Sequence, residues 1–254
     1  MKYTAIVLAG SRPGRDPLAA RFGAEVKALI PVAGEPMVRR PVCALLASEN
    51  VGRIIVLTQR PDVVARALPD DPRLEVRESD ATIASTMLAL CFDRETQWPL
   101  LVTTADHALL DTQIIDEFCR SAAGSDLAVG VVERDALIRR LPQTRRTWLT
   151  FRGGSYTGAN LFALGSPRVA PAIELWRSVE QDRKKGWRIV SLLGWGVLIG
   201  TALRLLTIDA VLARLGRRLG LNVRAARLSD PLAGVDVDKP EDHALAEAIL
   251  EGRA

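Results

Sequence analysis

Cysteine is scarce: Cys43, Cys91 and Cys119 are the only three in 254 residues, and they sit in apolar stretches without metal-ligand spacing. An odd, scattered set excludes a disulfide framework and fits buried thiols in a reducing cytosol, so a cytoplasmic protein is expected. A strong charge imbalance is also missing. The 34 basic and 30 acidic residues leave a net +4, which favours anionic ligands only weakly. Arg139, Arg140, Arg145 and Arg146 cluster, but no aromatic residues interleave them as a stacking platform requires, so they read as a solvated loop and no nucleic acid is expected. Nor is there a hydrophobic run long enough to span a bilayer. Residues 189–203 are apolar until Arg204 interrupts them, short of the ~20 residues a span needs. Arg183, Lys184, Lys185 and Arg188 precede that run and would suit an interfacial anchor, but a buried helical hairpin is the preferred reading, so membrane-surface contact is not favoured. The first residues enter an apolar strand at once and carry no signal-peptide pattern.

Two common nucleotide-binding signatures fail. A dinucleotide fingerprint needs G-x-G-x-x-G opening a helix and an acid ending the second strand. Here Gly10 and Gly14 have the wrong spacing, and the second apolar run ends Leu57-Thr58-Gln59-Arg60. No Gly-Lys-Ser/Thr follows Gly14, so a P-loop is excluded as well.

What the chain does contain is an apolar strand over residues 5–9 running into Gly10-Ser11-Arg12-Pro13-Gly14-Arg15, with Lys27 and Pro31 beyond it. Glycines let the backbone turn and let a phosphate approach the amides without a Cβ in the way. Arg12, Arg15 and Lys27 supply the charge a triphosphate needs. The loop over residues 10–25 is long for a strand-to-helix connection, which suits function. Asp106 stands just past the carboxyl end of a later strand over residues 99–104, and ligands in open parallel sheets bind outside the carboxyl ends of strands. A second acidic segment, Asp236-Val237-Asp238-Lys239-Pro240-Glu241-Asp242, lies near the C-terminus. A basic loop with separated acids reads as a magnesium–nucleotide site.

Coarse patterning places strands at residues 53–58, 74–77, 126–132 and 221–228, and a Gly153-Gly154 hairpin between residues 148–152 and 156–164. Helices are expected over residues 38–46, from Pro61, over 82–92 with Ser79-Asp80 as cap, over 111–119, over 169–179, and from Pro240 to about 250. Residues 189–219 read as two helices broken near Thr207-Ile208-Asp209. The expectation is one α/β domain, residues 1–254, with a mainly parallel mixed sheet and a helical insertion around 168–219.

The pattern Leu8-Ala9-Gly10 … Gly14-Arg15 … Lys27 … Pro31-Val32-Ala33-Gly34-Glu35-Pro36-Met37 resembles the signature of nucleotidyltransferases of the nucleotide-diphospho-sugar transferase fold, in particular the branch of molybdenum cofactor guanylyl- and cytidylyltransferases. The resemblance implies a Rossmann-like three-layer α/β/α sandwich. It implies an enzyme of the EC 2.7.7 type, a Mg2+-dependent nucleotidyltransferase that moves a nucleotidyl group from a nucleoside triphosphate to a phosphorylated acceptor and releases pyrophosphate. Asp106 resembles the family's metal-binding aspartate, and the segment from Asp236 to Asp242 its C-terminal acidic motif, with Asp238 on the metal, Asp236 behind it and Asp242 at the last helix. Arg15 and Lys27 then carry catalysis by charge neutralisation. Leu8, Ala9, Gly10, Ser11, Arg12 and Gly14 would hold the nucleotide, with Ser85 and Thr86 lining its pocket, and Gly158 and Asn160 would pass the acceptor. The family usually has glycine where Ser11 stands, and Pro13 has no N–H to donate. His107 reads as a positioning or solvent-exposed residue and His243 as a surface one.

Two rival readings share the fold. A glycosyltransferase would use a nucleotide sugar, but Arg15 and Lys27 argue against a donor that has no γ-phosphate. A non-catalytic nucleotide-binding regulator would not need both acidic segments. The sequence leaves open the base, the acceptor and the oligomeric state.

Overall fold

The computed structural model describes residues 2–10, 14, 16–79, 82–181, 200 and 203–253. Its centre is β1 (Tyr3–Leu8), whose Ala5, Ile6 and Val7 have no exposed surface. A strand with apolar residues on both faces can be satisfied only between two helical layers, and burying each large aliphatic side chain contributes about 1.5–3 kcal/mol.

After β1 the chain forms a short helix, α1 (Pro17–Arg21), then a 3-10 turn over Lys27–Leu29 and a small ribbon of β2 (Pro31–Val32) and β3 (Glu35–Pro36). The loop expected over residues 10–25 therefore holds a helix. Asp16 starts it by accepting from the N–H groups of Leu18 and Ala19, at 2.9 and 3.0 Å, and Pro17 needs no partner in the first turn. Next come α2 (Arg39–Ala47), β4 (Val51–Thr58), α3 (Pro61–Ala65), β5 (Leu74–Glu78), α4 (Ile83–Phe92), β6 (Leu100–Thr104), α5 (Thr112–Ala122) and β7 (Leu127–Glu133). The cap of α4 is Thr82, which accepts from Ser85 N at 3.3 Å, and not Ser79, whose hydroxyl meets Thr86 instead. Asp80 lies outside the described residues.

The second half contains α6 (Arg134–Arg140), the hairpin of β8 (Leu149–Phe151) and β9 (Gly154–Leu164), α7 (Ala170–Gln181), α8 (Ile208–Leu219), β10 (Val223–Leu228) and α9 (Pro240–Leu250). Sequence periodicity did not show α6, because Leu137 alone among its seven residues is buried. Most of the expected first helix of the 189–219 segment falls outside the described residues; its second is α8, started by Thr207 and stopped by Gly220 at φ 68°. Arg183, Lys184, Lys185 and Arg188 also lie outside them. Among the described residues no helix is long and apolar enough to cross a membrane.

The main sheet runs β5-β4-β1-β6-β9-β7-β10, with β8 attached to β9. All pairs are parallel except those of β9, which is antiparallel to β6, β7 and β8. One face packs Ala5, Val7 and Leu101 against α2 and α5; the other packs Ile6, Ile55 and Val102 against α4 and α7. This is the expected three-layer α/β/α arrangement. Of the thiols, Cys91 and Cys119 are buried, whereas Cys43 is exposed, contrary to expectation. It stands on the outer side of α2, whose inward positions are Val42 and Leu45.

Candidate active site

Parallel register brings the carboxyl ends of β1 and β6 together. Leu8 stands opposite Thr104, and Ala105 N donates to Leu8 O at 2.9 Å. The glycine loop after β1 and the acidic turn after β6 thus leave the sheet side by side. Within that loop Gly14 takes φ 101°, a conformation L side chains rarely adopt. Ser11, Arg12 and Arg15 lie outside the described residues. Ala9 N donates to Leu57 O at 2.8 Å, so that amide is committed to the sheet and does not face a ligand.

Lys27 is the meeting point of the two acidic segments. Its Nζ stands 2.7 Å from Asp106 Oδ2 and 2.6 Å from Asp238 Oδ1. Thr104 Oγ1 donates to the other Asp106 oxygen, Oδ1, at 2.5 Å. Val237 N donates to the Asp106 carbonyl at 3.0 Å and so ties the C-terminal segment to the end of β6. Burial works against the Lys27 charge, but the carboxylates of Asp106 and Asp238 outweigh it and raise its pKa, so the ammonium stays protonated.

Asp236 faces elsewhere. Arg146 donates through Nη1 to Asp236 Oδ1, and through Nη2 to Asp236 O at 3.2 Å and Asp242 Oδ1 at 3.1 Å. Asn160 Nδ2 donates to the second Asp236 oxygen at 3.0 Å. Asn160 holds φ 48°, a left-handed conformation that asparagine tolerates better than most residues, and this aims its amide. Burial raises the Asp236 pKa; Arg146 opposes that, and the charges of Asp238 and Asp106 add to it. Asp242 completes the network by accepting from Lys239 N at 3.0 Å and Asp238 N at 3.3 Å, which caps α9.

Arg146 was read as part of a solvated loop, and the structure corrects this: its side chain is 9% exposed. Nothing in the run of four arginines distinguishes the buried one. Arg139 and Arg140 close α6 rather than lying in a loop.

The remaining expected residues are less concentrated. The Ser85 hydroxyl accepts from Thr82 Oγ1 at 3.1 Å, and Thr86 pairs with Ser79 at 2.9 Å, so both serve the start of α4. Gly158 lies on β9 opposite Val131, and a Cβ there would meet no heavy atom within 4 Å. His107 is not solvent-exposed: it is buried, and burial pushes its pKa down to about 4, so it is neutral at pH 7. His243 is not on the surface either. Its Nε2 donates to Pro31 O at 2.6 Å and its ring lies 4.2 Å from that of Phe22.

The site fits a magnesium ion in one specific sense. Mg2+ commonly uses one or two carboxylates and completes its shell with water and substrate phosphate. Asp106 and Asp238 are two carboxylates converging on a single cation, the Lys27 ammonium. Among the described residues no group of three or more acidic, histidine or cysteine side chains is placed to hold a metal ion.

Comparison with known proteins bears on the family and the fold. The family model of the MobA-like NTP transferase domain matches residues 5–193. A solved structure described as a hypothetical transferase from Thermus thermophilus is 32% identical, with a TM-score of 0.80, and the match covers 96% of this chain and all of that one. Two more distant structures share the fold. The 4-diphosphocytidyl-2C-methyl-D-erythritol synthase of Anaerococcus prevotii is 10% identical with a TM-score of 0.62, covering 98% of this chain and 96% of that one. A homologue of a Mycobacterium tuberculosis protein, from a Mycobacterium strain, is 15% identical with a TM-score of 0.54, covering 98% and 97%. No protein with a curated description matches the sequence.

Proposed function

This chain belongs to the MobA-like NTP transferase family, and from that premise we propose that it moves a nucleotidyl group from a nucleoside triphosphate to a phosphorylated small-molecule acceptor. An oxygen of the acceptor phosphate attacks the α-phosphorus. The bond from that phosphorus to the bridging oxygen of the β-phosphate breaks, and pyrophosphate leaves with the electron pair. A phosphate nucleophile is already ionised at neutral pH, so no general base is required. That accords with His107 being buried and neutral.

The difficulty is electrostatic, because two anionic groups must approach one another. In-line positioning and fixed positive charge therefore supply most of the help a protein can give. Lys27 brings an ammonium to the carboxyl edge of β1 and β6, and Arg12 and Arg15 add charge from the glycine loop to hold the departing phosphates. Asp106 and Asp238 would hold Mg2+, which when bound would neutralise phosphate charge. Asp236 supports them from behind through Arg146 and Asn160. Gly158 leaves room on β9 for the acceptor.

The observation that carries this reading is the convergence of Asp106 and Asp238 on Lys27 beside the glycine loop. A thermal-shift screen with ATP, GTP, CTP and UTP in the presence of magnesium tests it. One triphosphate at 100 times its dissociation constant should stabilise the protein by about 2.7 kcal/mol. No shift with any of the four would remove the nucleotide from the account.

A further inference from the structure

We infer that Lys27 and a divalent cation compete for the same two oxygens, Asp106 Oδ2 and Asp238 Oδ1, so that the lysine keeps a bare cation out of the site. The inference deepens the proposed function and rests on it for the identity of the cation's ligands.

The distances make the competition direct. The ammonium lies 2.7 Å from one oxygen and 2.6 Å from the other. A magnesium ion approaching the pair from the same side would sit about 2.0–2.1 Å from each oxygen, inside the volume of the ammonium. The alternative oxygen of Asp106 is engaged, since Thr104 Oγ1 donates to Oδ1 at 2.5 Å. The backbone around both acids is tied down as well. Val237 N bonds to Asp106 O at 3.0 Å, and Asp238 N donates to Asp242 at 3.3 Å. The Asp106 carboxylate is therefore engaged through both oxygens, and a cation that bridges the two acids has to displace the ammonium.

Lys27 has the means to leave. Its backbone is fixed in a 3-10 turn with Ala28 buried beside it, so exchange must come from the side chain's own torsions. A cation that enters must move the ammonium, and in the proposed reaction the triphosphate is the group that offers it new partners. The lysine thus serves twice: it neutralises two carboxylates whose mutual repulsion would otherwise stand, and it is then released to the phosphates.

Nucleotide-free calorimetric titration with MnCl2 tests the competition. Lys27→Met removes the charge at similar length and should bind Mn2+ roughly ten- to hundred-fold more tightly than the unaltered protein, the scale expected for removing a unit charge at contact distance. Lys27→Gln, with a polar head, should show the same direction and serves if the methionine variant does not fold. Adding Asp238→Asn to either variant should cancel the gain. Equal Mn2+ affinity in the unaltered protein and a folded Lys27 variant would overturn the inference, as would a gain that survives Asp238→Asn. Manganese binding needs no turnover, so this result stands apart from the proposed activity. A protein without transferase activity could still show the competition, and an active transferase could lack it.

Discussion

Asp106, Asp236 and Asp238 carry the same functional group and receive different tasks from their neighbours. Asp106 and Asp238 share Lys27, whereas Asp236 is held by Arg146 and Asn160. On the proposed function, Asp106→Asn and Asp238→Asn are expected to abolish turnover while leaving the fold intact, because each replaces a carboxylate by a neutral isostere. Asp236→Asn should reduce turnover less. A steady-state comparison of the three variants checks this, and an inactive Asp236→Asn beside an active Asp238→Asn would reverse the assignment. Arg146 makes a separate prediction about stability. Removing one member of a buried charge network strands the others, at a cost of about 3–5 kcal/mol for a fully buried pair. The Asp236 side chain keeps 27% of its exposure and Asp242 17%, so the lower end, about 3 kcal/mol, is expected for Arg146→Met in urea unfolding. At this scale the sequence revealed Lys27, Asp106 and Asp238 because each stands in a recognisable pattern. It hid Arg146 because burial and pairing with residues 90 and 96 positions away leave no local trace.

Secondary elements were legible where a strong local rule applied. Asp111 before α5 is such a case: its carboxylate accepts from Ile114 N at 2.8 Å, and the apolar stripe behind it is regular. The short helices α1 and α6 were missed, since five and seven residues cannot display a helical period. The last helix, α9, shows how an element can serve a site it barely touches. His243 bonds Pro31 O, and Glu247 Oε1 accepts from Ala33 N at 3.0 Å, so α9 is fastened to the ribbon that follows Lys27. Asp238 at its start is thereby fixed against the lysine. An opposing balance decides the effect of Gly216→Ala on α8. Helix propensity favours alanine by about 1 kcal/mol. A Cβ at this position, however, would lie 2.4 Å from the Leu221 carbonyl oxygen and 3.2 Å from Val223 Cγ2. Overpacking costs about 1–3 kcal/mol, and contact this close with backbone belongs to the upper half of that range, so the clash wins and a net loss of about 1–2 kcal/mol is expected. Thermal unfolding that shows Gly216→Ala to be as stable as the parent would contradict the close packing of α8 on β10.

On the scale of the whole molecule, the sheet order is what assembles the site. β1 lies between β4 and β6, and the antiparallel β9 brings Asn160 in from the opposite direction to meet Asp236. Parallel strands could be inferred from continuous apolar runs, but the order of those strands could not, because pairing depends on contacts far apart in sequence. The central claim, nucleotidyl transfer with loss of pyrophosphate, is tested most directly by measuring pyrophosphate from a panel of triphosphates and phosphorylated acceptors, with the nucleotide product identified by mass. The account predicts that one pair, with magnesium, yields pyrophosphate and a nucleoside-diphosphate-linked product in equal amounts, and that Asp106→Asn yields neither. Release of the nucleoside diphosphate from a nucleotide sugar, with no pyrophosphate from any triphosphate, would contradict it.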